Sequence, residues 1–503
     1  MATKKFSRLT WALILLAEAL LFAAVGFYFW ARDDYVFFGP ERPDILFIMV
    51  DTLRSDRLHC YGHPLETSPT LDRLAREGAL FENVISQAPW TKPSLASLFT
   101  STSCSTHGVI HYLKTPQAPD ETALTLRFDR LPDAYLTLAE ALQAAGYRTV
   151  AFSANWWMDP AFGFGQGFDE FYSLAYGKPP GEKNRAVQYT NLPASVLNQK
   201  FQTWLRLNGL DQKRWLERLG LHRRPFFAYL HYMDVHGPYR PPPPFDQTFD
   251  SHYFALPAER IPAEDRAKLD YLDLGTDLLN LYQSRYDGQI LYFDTQLQKL
   301  LDALAAAGLL DQCLIVFTAD HGESLGEHRT YGHGDSLYQA EIHVPLILWS
   351  PSLKLPPSRI PGYLPQLDLA PTLLELLHLP APSEFQGRSR VPRLRGQPEE
   401  SPEIWSENFK NNVLEYTRIK NSQKWIFTAA EMKARVLYDL GKDPREDRNL
   451  LPGLAPEAIA RAEAEARKWR QARESERLER GMLPAVELSD EAREALKALG
   501  YLK

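Results

Sequence analysis

Cysteine is scarce: this 503-residue chain carries only Cys60, Cys104 and Cys313. An odd number leaves at least one without an intrachain partner, and no CxxC spacing suggests a zinc ribbon or a redox pair. Cysteine usage therefore points to no compartment. Excess basic charge is also lacking. Lys and Arg number 56 against 63 Asp and Glu, a formal net charge of −7. Nucleic acid is not expected as a partner, because binding a phosphate backbone needs a basic face. There is no tandem repeat. Only one stretch is long and apolar enough to span a bilayer.

That stretch runs from Leu9 to Ala31, with Glu18 its one charge. As a helix it would extend roughly 34 Å at ~1.5 Å per residue. Lys4, Lys5 and Arg8 precede it, and Trp11 and the run Phe27 to Trp30 mark its ends as interfacial belts would. The expectation is a cytoplasmic tail over residues 1–8, an uncleaved transmembrane anchor over 9–31, and an extracytoplasmic remainder at a cell membrane. A cleaved signal peptide, the rival reading, usually has an apolar region of only ~7–15 residues.

The remainder has the composition of a folded protein, 45% hydrophobic and 24% charged, and is long enough for one large domain or two ordinary ones. Its 37 prolines imply many surface loops. Asp44 to Val50, Arg148 to Ser153, Pro225 to His231, Cys313 to Thr318 and Val344 to Trp349 read as strands. The first and fourth are continuous apolar runs, as central parallel strands covered on both faces require. Helical patterns at Thr70 to Glu77, Ser94 to Thr100, Leu136 to Ala145, Tyr286 to Ala306 and Asp368 to Leu377 lie between or after them. The alternation predicts an α/β fold with a doubly wound, mostly parallel sheet over residues 43–395. Four short strand patterns between Glu403 and Leu440 predict a small antiparallel subdomain over 396–450. Charged helical patterns at Ala455 to Glu479 and Asp490 to Leu499 make 451–503 a helical tail.

In open α/β sheets ligands bind beyond the carboxyl ends of the strands. Asp51 directly follows its strand, Asp320-His321 follows the strand at Cys313 to Thr318, and Asp234 and His236 follow the strand ending near His231. Two carboxylates and an imidazole suit zinc, manganese or calcium. The Thr91 hydroxyl would complete the shell, and metal coordination would make it a nucleophile at neutral pH. With Pro93 in the first helical turn, Thr91 lies near a helix N-terminus, where backbone N–H groups favour an oxyanion. Each residue also has a plainer reading: an aspartate at a strand end is often a turn residue, and threonine is a good N-cap.

The segments Ile48-Met49-Val50-Asp51-Thr52-Leu53-Arg54, Ser68-Pro69-Thr70-Leu71-Asp72-Arg73-Leu74-Ala75-Arg76-Glu77-Gly78 and Asp320-His321-Gly322-Glu323-Ser324-Leu325-Gly326-Glu327-His328 resemble the sulfatase family of the alkaline phosphatase superfamily. The segment Leu437 to Glu446 is similar to that family's C-terminal signature. Sulfatases carry Cys or Ser, any residue, Pro, Ser or Ala, then Arg, and the first residue becomes formylglycine. Here the frame reads Thr91-Lys92-Pro93-Ser94-Leu95. Threonine cannot give the aldehyde because its Cβ bears a methyl group, and Leu95 replaces the arginine. Threonine instead resembles the nucleophile of membrane-anchored phosphoethanolamine transferases and lipoteichoic acid synthases.

The resemblance implies a metal held by Asp51, Thr91, Asp320 and His321, with zinc or manganese favoured and calcium possible, and no formylglycine. It implies substrate-side roles for His236 and His333, the second at a place where sulfatases usually hold lysine. Lys92 and Arg54 are candidate ligands for an anionic ester on a small molecule, lipid or glycan. The expected activity is phosphoester hydrolysis or phosphoryl transfer through a covalent Thr91 intermediate. The alternatives are sulfuric ester hydrolysis on a sulfated glycan or aryl sulfate, and an inactive relative that binds an anionic glycan or lipid headgroup.

Overall fold

Seven consecutive buried residues, Asp44–Val50, form strand β1 near the middle of the main sheet. In the computed structural model the described residues are 42–110, 127–174, 192–210, 221–249, 276–410 and 414–480, with short pieces at 15–21, 23, 35–37 and 485–487. The expected anchor over 9–31 and the helix at Asp490 to Leu499 lie largely or wholly outside them. Among the described residues no helix is long and apolar enough to cross a membrane.

The other strands of the main sheet are β2 (Ala79–Ile85), β3 (Arg148–Ser153), β4 (Glu170–Ser173), β5 (Phe226–Tyr232), β6 (Cys313–Ala319), β7 (His343–Trp349) and β8 (Ser358–Pro365). Their order is β8-β2-β7-β6-β1-β5-β3-β4. Only β7 runs against its neighbours, being antiparallel to both β2 and β6. Strands β1, β5 and β6 are buried along their whole length, as strands with helices on both faces must be.

The covering helices are α1 (Pro69–Glu77), α2 (Thr91–Thr100), α3 (Leu138–Ala144), α4 (Ala194–Leu207), α5 (Thr276–Ala306) and α6 (Leu369–Leu376). Helix α1 buries Leu71 and Leu74, and its first backbone N–H groups are accepted by Asp294 of α5 at 2.8 and 2.9 Å. A carboxylate there satisfies donors that a helix start leaves open. Helix α3 starts at a capping box formed by Thr137 and Glu140.

Strands β9 (Ile404–Asn408), β10 (Glu415–Lys420), β11 (Gln423–Thr428) and β12 (Ala434–Asp439) make an antiparallel meander. Strand β9 is stitched to the end of β2: Glu407 N donates to Gln87 O at 2.8 Å and Ser406 Oγ to Ser86 O at 2.6 Å. Helix α7 (Pro456–Glu479) lies on the meander through Ala462 and Ala466, with Trp469 stacked on Trp405. Glu463 is buried against the meander and accepts from Ala434 N at 3.1 Å, while Glu457, Arg461, Glu465, Arg467, Lys468 and Glu479 are exposed.

Candidate active site

Strand register brings the site together. Strands β6, β1, β5 and β3 lie side by side and parallel, with Val50 level with Ala319 and Tyr232, and His231 level with Ser153. Asp51, Asp320 and Asn155 each follow within two residues of these levels, so their side chains emerge at one sheet edge. Adjacent strands are ~4.8 Å apart, which sets the scale of the cluster. After Asp51 the chain turns sharply. Thr52 has φ 59°, a conformation costly for a β-branched residue. Tyr286 of α5 holds the turn, donating to Thr52 O at 2.7 Å and accepting from Arg54 N at 2.9 Å.

Asp51, Asp320 and His321 are fully buried, and they offer ligand atoms that all lie within 4.8 Å of one another. His321 Nε2 is 3.7 Å from Asp51 Oδ1 and 3.4 Å from Asp320 Oδ2. Neither of those carboxylate oxygens has a hydrogen-bond partner among the described residues. Two buried carboxylates this close do not both ionise without a cation. Burial first, then the charge of Asp51, pushes the Asp320 carboxyl up to about 8. Burial also opposes ionisation of Asp51, but the hydrogen bond to His231 and the fields of His236 and His321 outweigh it and hold Asp51 well below the usual range. His321 Nδ1 donates to Gly322 O at 2.8 Å, which leaves its Nε2 lone pair facing the carboxylates. Burial pushes its pKa down to about 4, so the ring is neutral at pH 7. Orphaned oxygens and a neutral, oriented imidazole are the donors a divalent cation needs, and the residues fit one.

Thr91 stands beside this cluster. Trp90 takes the cap position of α2 and Thr91 is the first helical residue, so the helix begins three residues earlier than the sequence pattern predicts. The Thr91 side chain does not cap the helix; its Oγ1 lies 3.3 Å from His321 Nε2. Ser94 Oγ donates to Asp320 O at 2.5 Å and ties α2 to the metal-ligand loop. Asn155 Nδ2 donates to Asp51 Oδ2 and, at 3.4 Å, to Thr91 Oγ1. Sequence reasoning missed Asn155; its only signal was its place two residues past the end of β3.

Three further histidines adjoin the cluster. His231 Nε2 is 3.3 Å from Asp51 Oδ2, and Tyr229 Oη lies 3.1 Å from His231 Nδ1. This ring, which the sequence could not separate from a packed core histidine, belongs to the site. His236 donates from Nδ1 to Gly237 O at 2.7 Å, and its ring is 5.2 Å from that of His333, which in turn is 4.6 Å from that of His321. His333 Nδ1 is 3.0 Å from Glu323 Oε1. Burial lowers the pKa of His236 and of His333 and raises that of Glu323. The loop carrying His333 is held by Glu341, which accepts from Gly334 N, Ser336 N, Ser336 Oγ and Ser324 Oγ.

Two expected substrate ligands have other surroundings. The Arg54 guanidinium forks onto Asp56 and also reaches Glu327 Oε1 and Glu323 O, so it clasps the loops after β1 and β6. Lys92 is fully buried. Its ammonium donates to Asp129 O at 3.2 Å and lies over the rings of Trp90, Trp157 and Phe162, 5.4–5.8 Å from their centroids. That is an aromatic box, not a solvated loop. Leu95 sits in the core. Asp234, which also follows β5, accepts from Ala194 N at the start of α4. His328 stacks on Tyr338, and its Nε2 lies 3.2 Å from Arg445 O.

A family model described as sulfatase matches residues 43–379, and one described as N-sulphoglucosamine sulphohydrolase, C-terminal, matches 326–468. The chain is 25% identical over 459 residues to an arylsulfatase of Clostridium perfringens, covering 82% of this chain and 90% of that one. It is 27% identical over 528 residues to the multifunctional alkaline phosphatase superfamily protein PehA of Trinickia caryophylli, covering 85% and 95%. Its fold matches the crystal structure of the phosphonate monoester hydrolase of Agrobacterium radiobacter with a TM-score of 0.64 at 23% identity, over 86% of this chain and 96% of that one. A mostly parallel sheet with Asp51, Asp320 and His321 at its carboxyl edge, and a family model spanning most of the chain, lead to one conclusion: the protein belongs to the sulfatase family of the alkaline phosphatase superfamily, a family of ester hydrolases.

Proposed function

We propose that this protein is a metal-dependent hydrolase or transferase that acts on a phosphoester through a covalent Thr91 intermediate, without formylglycine. The observation that carries the reading is Thr91 itself. A hydroxyl with no route to an aldehyde sits at the start of α2, 3.3 Å from His321 Nε2 and beside two buried carboxylates. Asp51, Asp320 and His321, with Thr91, would hold the divalent ion, zinc or manganese before calcium. When bound it supplies charge stabilisation and acidifies the hydroxyl.

Thr91 Oγ1 attacks phosphorus as the ester P–O bond breaks, its proton passing through His333 to the leaving oxygen, and Asn155 orients both Thr91 and Asp51 for that step. The backbone N–H groups at the α2 start face the oxyanion. His236, with Nδ1 committed to Gly237 O, presents the Nε2 lone pair of a neutral ring and accepts a proton from the acceptor hydroxyl or water. His333 binds a phosphoryl oxygen or protonates the leaving oxygen. With a single hydroxyl, Thr91 cannot expel the group as a hydrated aldehyde does. Release therefore requires attack of water or an acceptor alcohol at phosphorus.

A second reading, sulfuric ester hydrolysis, is supported by the family model and the sulfatase relatives. Turnover of aryl phosphomonoester, phosphodiester, phosphonate monoester and sulfate, each with added zinc, manganese or calcium, separates the two. Phosphorus esters are expected to be faster; an aryl sulfate outpacing all of them would favour the second. Thr91→Ala and Asp320→Ala are each expected to lose at least ~10³-fold in kcat/KM, and full activity in either would sink the mechanism.

A further inference from the structure

The meander brings a charge, Lys410, to this site from a part of the chain with no local motif for it. Lys410 follows β9 by two residues and is 7% exposed. Its ammonium donates to His333 O at 3.2 Å and lies 5.9 Å from the ring centroid of Trp90, the residue before Thr91. Its stem runs through a gap left by Gly334, where an added Cβ would come within 2.3 Å of Lys410 Cδ. The two loops are clasped: Asn408 Nδ2 donates to Gly334 O at 3.1 Å, and Asn408 Oδ1 accepts from Lys410 N at 3.0 Å.

The field of Lys410 reaches His236, His321 and His333, and the charges of Asp335, Glu341, Glu323 and Asp51 act on it in turn. A buried ammonium costs several kcal/mol unless its surroundings offset it. If packing alone were required, an apolar side chain of the same length would fill the Gly334 gap without that cost. The ammonium meets the His333 carbonyl, and the His333 ring lies 5.2 Å from that of His236 and 4.6 Å from that of His321, so the charge adjoins the pocket these rings line.

We infer that Lys410, delivered by the C-terminal sheet, is an anion-binding residue of the active site, holding the non-bridging oxygens of the substrate's phosphoryl or sulfuryl group. The inference rests on the ester-cleaving reading for its substrate but not for its test.

The test is calorimetric titration of the metal-loaded full chain with inorganic phosphate and with inorganic sulfate. Lys410→Met, which keeps the stem, is expected to weaken binding ~10–100-fold, the worth of a charged hydrogen bond, with metal content and Tm unchanged. Lys410→Arg is expected to retain most of the affinity. In the wild type, saturating phosphate is expected to slow amine labelling of Lys410 several-fold while the exposed Lys442 labels as before; this arm stands even if the methionine variant does not fold. Equal affinity in Lys410→Met and wild type, labelling of Lys410 indifferent to phosphate, or a wild type that binds neither anion would each overturn the inference. A protein inactive on every ester that still binds phosphate through Lys410 would sink the proposed function and leave this inference standing.

Discussion

Asp234 shows how a single buried group can carry a pH dependence of its own. One oxygen accepts from Ala194 N at 2.8 Å, and the other is buried without a hydrogen-bond partner among the described residues. Burial raises its pKa from 3.8 to about 7. The fold therefore favours the neutral acid. That contribution to stability is complete below about pH 4 and is lost as pH rises through about 7. Asp234→Asn keeps the acceptor and removes the charge. Its Tm relative to wild type is expected to rise by roughly 2 °C or more between pH 5 and pH 8.5, measured by thermal melts at the two pH values. An offset that does not change with pH would show that Asp234 does not titrate in this range. At this scale the sequence was informative about identity and weak about surroundings. Asp51, Asp320 and His321 lie together in the structure, with Thr91 beside them. For Arg54 and Lys92 the sequence leaves substrate contact and a solvated loop charge open, because their partners, Glu327 and Glu323 for the first and Trp157 and Phe162 for the second, are far away in the chain.

Among elements, the turn after β6 explains why the motif reads Asp-His-Gly. Gly322 N donates to Glu341 O, and an added Cβ at Gly322 would fall 2.1 Å from Ala340 O. A side chain there has no room unless the backbone moves, and that backbone carries Asp320 and His321. Gly322→Ala is therefore expected to cost about 1–3 kcal/mol and to weaken metal binding at least several-fold. Thermal melts and a metal titration check both; a variant with wild-type metal affinity would mean the turn does not position the ligands. Elements were legible where their pattern was local. The apolar runs at Asp44–Val50 and Cys313–Ala319 needed no tertiary information. The start of α2 did, because Thr91 takes its helical position between Trp90 at the cap and the Ser94 bond to Asp320 O.

Taken whole, the molecule places its antiparallel meander as a wall of the site rather than an appendage. Strand β9 bonds to Ser86 and Gln87, Glu407 accepts from Ser105 N and Oγ, and Lys410 reaches His333. A chain ending at residue 395 would expose the buried faces of these groups and lose Lys410. It is expected to lose cooperative unfolding or to melt well below the full chain, and to lose ester turnover entirely, as read by circular dichroism melts and the phosphoester assay. A truncated chain that stays folded and active would mean the meander is dispensable.

The sequence by itself determined the alternation of buried strands and amphipathic helices, the ends of the strands, and the residue types at those ends, because hydrophobic periodicity and strand termini are local properties of the chain. It also determined that position 91 is a threonine, whose Cβ methyl group denies that residue the aldehyde. Only the tertiary structure decided which of the other polar side chains face the site. Asn155, His231 and Lys410 enter it through parallel register and through a loop from another sheet, contacts between residues distant in sequence. Arg54 is clasped by carboxylates that the fold brings alongside. Charge placement depends on such long-range packing, and no local pattern encodes it.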